Sequence, residues 1–147
     1  MNILALDTAI KTGYCTPTTS GVIDCSVKRD QSKGMRLIIF RSEVEKLIDE
    51  HEITLVVYER PTGKRHIAKV VAANFEGVLQ TLCIDKGVEY TSMSPGEVKL
   101  FATGNGNANK QIMIDACIEE LDIVPEDDNE ADACWIYEKA KSDFNVS

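Results

Sequence analysis

The stretch Asn2-Ile3-Leu4-Ala5-Leu6-Asp7-Thr8 constrains the fold more than any other. It is an apolar run of strand length, too short for an independent helix, and it ends in a carboxylate. A buried strand is stiff, so Asp7 is a charge held firmly at the edge of a core. Taken alone, Asp7 would serve equally well as a turn cap. A second run of the same design, Thr54-Leu55-Val56-Val57-Tyr58-Glu59, also ends in an acid, and a third acidic group lies near the C-terminus. The residues after Asp7 hold one glycine, Gly13, and no phosphate-cradling pattern, so a nucleotide loop is poorly supported.

Residues 12–18 and 21–27 read as two further strands around a turn at Pro17-Thr18-Thr19-Ser20-Gly21, completing an antiparallel meander. Ser32 is placed to cap a helix over residues 33–50, with Leu37, Phe40, Val44 and Ile48 along its apolar face. Strand four covers residues 54–59, a helix covers 67–85 with Gly87 ending it, and strand five covers 88–91. Ser94-Pro95 opens a short helix, and two more helices are expected over 110–121 and 128–141. The expected fold is α/β: a mixed sheet of five strands, three antiparallel and then parallel, flanked by helices. Residues 1–147 read as a single domain. Helices separate strands one, four and five, so these should be parallel, and ligands in such sheets gather at the carboxyl ends of the strands, where Asp7 and Glu59 point.

Composition narrows the setting. No run of about 18 apolar residues suggests a membrane span, and no basic leader precedes Asn2. The five cysteines, Cys15, Cys25, Cys83, Cys117 and Cys134, are odd in number and lack a C-x-x-C pair. They read as reduced core residues of a cytoplasmic protein. The net charge of −8 opposes simple nucleic-acid binding, but it is unevenly spread. Residues 1–59 carry seven basic and nine acidic groups, residues 60–114 seven and four, and residues 115–147 two and eleven. The basic middle is the part a polyanion would meet. Lys64, Arg65, His66 and Lys69 cluster beside the Glu59 strand tip and read as backbone phosphate contacts rather than a solubilising loop.

The last helix begins Pro125-Glu126-Asp127-Asp128-Asn129-Glu130-Ala131-Asp132. Acids in a first turn favour the helix dipole, which accounts for Glu126, Asp127 and Asp128 but not for Asp132, a turn further in and in line with apolar Trp135 and Ile136. A residue four before Asp132 is rotated from it by about 40°, one five before by about 140° to the other side. Asp128 should therefore join Asp132, while its main competitor, Asp127, caps the helix or faces solvent. Asp7, Glu59, Asp128 and Asp132 would repel one another without a cation between them. Hard oxygen ligands without a His or Cys cluster suit Mg²⁺, with Mn²⁺ able to substitute. Such a set can hold two ions about 3.5–4 Å apart, the arrangement that serves in-line phosphodiester cleavage.

These features resemble the RNase H-like superfamily: Asp7 after the first strand, Glu59 at the tip of the fourth, and Glu130-Ala131-Asp132-Ala133 on the last helix. Within it the chain resembles the RuvC-type Holliday junction resolvases, and most of all their short phage members. Ser94-Pro95-Gly96-Glu97-Val98-Lys99 and the run from Gly104 to Lys110 are similar to the family's lysine-bearing segment. The likeness spans nearly the whole chain. It implies a structure-selective endonuclease acting on branched DNA such as a four-way junction, with Lys110 near the scissile phosphate and Lys99 as a further phosphate contact. It also implies a homodimer joined through the second helix, whose two sites match the two symmetric strands of a junction. One departure stands out. The bacterial enzymes place their final two acids three apart, where this chain has Asn129, so Asp128 must supply the fourth ligand.

Three other functions remain in view. An RNase H-like nuclease for RNA–DNA hybrids or flaps would share the same acids. A catalytically silent DNA-binding module would not need all four. An actin-like or sugar-kinase-like phosphotransferase also ends its first strand in Asp, but it needs two related halves and glycine-rich phosphate loops, and 147 residues supply neither.

Overall fold

The structure, a computed structural model, describes residues 1–62 and 65–147. Lys64 therefore lies outside the described residues. The elements follow as β1 (Ile3–Asp7), β2 (Lys11–Cys15), β3 (Ser20–Asp24), α1 (Met35–Glu50), β4 (Leu55–Glu59), α2 (His66–Lys86), β5 (Glu89–Met93), α3 (Pro95–Thr103), α4 (Lys110–Leu121) and α5 (Asp128–Asp143). They build one five-stranded sheet in the order β3-β2-β1-β4-β5. The β1–β2 and β2–β3 pairs are antiparallel, and the β1–β4 and β4–β5 pairs are parallel. This is the mixed sheet that the strand spacing implies.

Strand periodicity divides the core between the two faces of the sheet. Ile3, Ala5, Leu55 and Val57 pack with Ala133, Cys134, Ile136 and Ala140 of α5, along with Met113 and Cys117 of α4. Leu4, Leu6, Val56 and Tyr58 pack on the other side with Phe40 and Val44 of α1 and with Phe75, Leu79 and Leu82 of α2. The odd-numbered positions of β1 and β4 thus face α5, and Asp7 and Glu59 continue those two rows. All five cysteines are free and buried.

Several boundaries differ from expectation. β2 stops at Cys15 because Thr16 starts a turn, its Oγ1 accepting from Thr18 N and Thr19 N at 3.3 and 3.0 Å. α1 starts at Met35: Ser32 Oγ accepts only from Gly34 N, and the N-cap, Gly34, has no side-chain cap. β5 runs on to Met93, whose buried side chain and pairing with Glu59 extend the strand. By length and composition α2 is apolar enough to cross a membrane, contrary to the expectation that no segment is. One side of it fills the core, while Ile67, Val70 and Ile84 are exposed on the other.

Candidate active site

β1, β3, β4 and β5 run in one direction, so their carboxyl ends share an edge, and α1, α2 and α3 start from that edge. α5 also begins there. Its approach depends on Gly13, which pairs with Asp7 across the β1–β2 ladder. A Cβ at Gly13 would overlap the carbonyl of Asn129, so only glycine lets the first turn of α5 lie against β2. The contact is tied by Asn129 Nδ2, which donates to the Lys11 carbonyl at 2.8 Å. Buried Glu130 adds a second tie, accepting from Ser20 Oγ at 2.7 Å and from Glu126 N at 2.8 Å. At the helix start, Asp127 is the N-cap, and its Oδ1 accepts from Glu130 N at 2.9 Å. With Asp127 so engaged, Asp128 and Asp132 turn toward the strand tips.

The four acids meet there. Asp7 is buried, and desolvation pushes its pKa well above the carboxylate range, with Glu59, Asp132 and Asp128 adding repulsion in that order. Desolvation also raises Glu59, offset by a hydrogen bond with Asp7 and by the charge of Lys99. Asp132 is pushed up to about 7, by burial first and then by Glu59 and Asp128. Burial thus raises all three carboxyls, and repulsion among them adds to the rise at Asp7 and Asp132. Among the described residues no three acid, His or Cys side chains stand in closed ligand geometry around one point. The donor set nevertheless suits a hard divalent cation: several oxygens, no nitrogen or sulfur, and carboxylates crowded together at a largely buried site.

A cleft of about 1440 Å³ opens over these acids, and Glu59, Asp128 and Asp132 line it together with Arg65, His66, Lys99 and Lys110. Lys110 opens α4 behind the Asn109 N-cap, and its Nζ lies 3.6 Å from Asp128 Oδ2. Capping-box bonds between Ser94 and Glu97 fix the start of α3, which carries Lys99. Lys69 is exposed on the first turn of α2 and does not line the cleft. The sequence shows Gly13 and, within the last-helix motif, Glu130, but not their roles in seating α5 on β2 and β3. A lone strand glycine was the available signal for the first.

A mixed sheet of this order, with acids at the tips of the first and fourth strands and on the last helix, defines the RNase H-like class. The sequence profile of the crossover junction endodeoxyribonuclease RuvC family matches residues 8–136, and the chain belongs to that family of nucleases, enzymes that hydrolyse phosphodiester bonds with the help of metal. The match contains Glu59, Asp128 and Asp132 and starts one residue after Asp7. Among relatives, the crossover junction endodeoxyribonuclease RuvC of Synechococcus sp. (strain CC9902) is 27% identical over 143 residues, covering 90% of this chain and 93% of its own. That of Gloeobacter violaceus is 30% identical over 118 residues, covering 79% and 67%. In fold, the chain superposes on Thermus thermophilus RuvC in complex with a Holliday junction substrate with a TM-score of 0.81 at 15% identity, covering 99% of this chain and 97% of that one. The yeast mitochondrial Holliday junction resolvase superposes with a TM-score of 0.64 at 14% identity, covering 98% and 81%.

Proposed function

We propose that residues 1–147 act as one nuclease domain that resolves four-way DNA junctions, with Asp7, Glu59, Asp128 and Asp132 as its metal ligands. One observation carries this reading: acids from three separate elements converge at the carboxyl end of the sheet, where burial and mutual repulsion raise their pKa values and a cation would compensate them. Two divalent ions, Mg²⁺ or Mn²⁺ in its place, would supply Lewis-acid activation of water and neutralise charge on the leaving oxygen. The chain's own residues do the positioning. Asp7 is the most buried of the four, standing at the end of β1. Lys110, paired with Asp128, offers a point charge to the phosphate as negative charge develops. Arg65, His66 and Lys99 at the cleft, with Lys69 on the first turn of α2, take the flanking backbone phosphates.

The outward face of α2 supports a homodimer. It combines exposed Ile84 with exposed Ala73, Gly77 and Thr81, and a Cβ at Gly77 would meet nothing within 4 Å. Small residues four apart let two such helices approach closely, and a two-fold pair would present two sites to the two symmetric strands of a junction. Free, buried cysteines accord with work in the reducing cytoplasm. The test is a panel of labelled four-way junction, duplex, flap and RNA–DNA hybrid, each with Mg²⁺ and with chelator. Paired, symmetric cuts in the junction that require the metal are expected. Preferential cutting of hybrid or flap would reassign the substrate, and full activity in excess chelator would remove the metal site.

A further inference from the structure

The sequence from Lys28 to Arg36 contains four basic residues, Lys28, Arg29, Lys33 and Arg36, against one acid, Asp30. β3 ends at Asp24, which pairs with Lys11 beside the Asp7 end of the sheet, so this stretch lies at the same end as the active-site cleft. It leads into α1, whose N-terminus stands next to that of α2. Between them is a groove of about 470 Å³ lined by Lys33, Arg36, Leu37, His66, Val70 and Asn74 among others. Every formally charged residue on its walls is a cation. His66 and Ile67 line both this groove and the cleft, so the two are continuous.

Among the described residues the cations here lack carboxylate partners: ion pairs engage Arg41, Lys46, Arg60, Lys86, Lys110, Lys139 and Lys141, and none engages Lys28, Arg29, Lys33 or Arg36. The Nε of Arg36 is shielded from solvent without a hydrogen-bond partner. Exposed and half-buried cations without carboxylate partners leave a positive potential that is free to attract an anion, and a groove running on from a nuclease cleft faces the phosphate backbone.

Building on the nuclease reading above, we infer that the groove between the starts of α1 and α2 holds the phosphate backbone of one arm of the DNA substrate, gripped by Lys33 and Arg36 with Lys28 and Arg29 at its outer end. The scissile strand occupies the cleft, and the arm leaves it past His66 and Ile67 along α1. The site is sequence-indifferent, because it offers charge and no base-reading element.

The test compares Lys33→Ala/Arg36→Ala with wild type in binding to a synthetic four-way junction, in Ca²⁺ to hold off cleavage, over a range of salt. The expected Kd rises by about tenfold, and the slope of log Kd against log salt shrinks by roughly two units. The loss disappears when the junction arms are trimmed to a few base pairs. Lys28→Ala/Arg29→Ala alters exposed side chains only and gives a smaller change of the same kind, which keeps the test decisive should the Arg36 variant misfold. Wild-type affinity and slope in folded variants of both pairs overturn the inference. So does a binding loss that is independent of arm length and comes with weakened self-association in sedimentation, which assigns the groove to a second copy of the chain. Failure of wild type to bind or cut any junction overturns the function reading itself, whereas normal cutting with unchanged variants overturns only the groove.

Discussion

The two ends of the sheet carry opposite electrostatics. At the carboxyl end the helices begin, their positive dipole ends converge, and Arg65, Lys69 and Lys99 stand without carboxylate partners among the described residues. At the other end cations are neutralised. Lys86 pairs with Asp49 at 2.7 Å and Lys139 with Asp143 at 2.6 Å, while the last turns of α1 and α4 contain no basic residue. That far end spends stability on acids at helix C-termini. The near end spends it on four crowded carboxylates and unpaired cations. The net charge of −8 hides this division. Under the proposed function a polyanion would meet one end only, and a divalent cation would find its ligands at that same end.

The strongest way to break the comparison is to remove the acids. Asp7→Asn, Glu59→Gln or Asp132→Asn should each lower junction cleavage by about a hundredfold or more, because each neutral isostere keeps the shape and loses the ligand charge. Single-turnover cleavage in Mg²⁺ measures it, and an active Asp7→Asn enzyme would remove β1 from the site. Gly13→Ala comes next. The added methyl must push the first turn of α5 off β2, for a cost of about 1–3 kcal/mol in stability. The accompanying shift of Asp128 and Asp132 should cost about a hundredfold in rate. A melting curve and a rate for the same sample separate the two effects, and a wild-type rate would show that the close approach is dispensable.

The crowded acids also predict an inverted pH dependence of stability without metal. The folded pKa of Asp132 is about 7 against 3.8 for an ordinary aspartate, so between those limits the folded state binds more protons than the unfolded one. This contribution to stability is intact below about pH 4 and is lost as pH rises through about 7. The Tm in chelator should fall over that window, Mg²⁺ should restore it at pH 8, and Asp132→Asn should flatten the profile. A Tm that rises steadily from pH 4 to 7, with no response to Mg²⁺, would mean that the acids do not crowd one another. Smaller still is the binding loss from Arg65→Ala with Lys69→Ala, roughly two units of salt slope if both cations meet phosphates. An unchanged slope would return them to the solvated surface.

Much of this end was legible in the sequence because strand periodicity is local. An apolar run that ends in an acid states both where the strand stops and which face its tip continues, and helix rotation alone separates Asp128 from Asp127. Contacts across the chain left fainter traces. Gly13 is one glycine in a strand, and nothing nearby in sequence announces that Asn129 will lie on it. Glu130 reads as one more first-turn acid until Ser20, far away in the chain, donates to it. The cations from Lys28 to Arg36 are spread around Asp30 and draw together only when α1 is set beside α2. Boundaries slipped where a hydroxyl made an unforeseen choice, at Thr16 by closing a turn and at Ser32 by leaving α1 uncapped.

Asp127 and Asp128 make the sharpest contrast within the site, neighbours in sequence with different tasks. Asp127→Asn keeps a capping side chain and should cost a few tenths of a kcal/mol at most. The central claim is that Asp128 joins Asp7, Glu59 and Asp132 around divalent metal. It is tested most directly by the single-turnover rate of junction cleavage in Mg²⁺ for Asp127→Asn beside Asp128→Asn. The account predicts a near-wild-type rate for Asp127→Asn and a loss of orders of magnitude for Asp128→Asn. An active Asp128→Asn enzyme, or an inactive Asp127→Asn enzyme that folds normally, would contradict it.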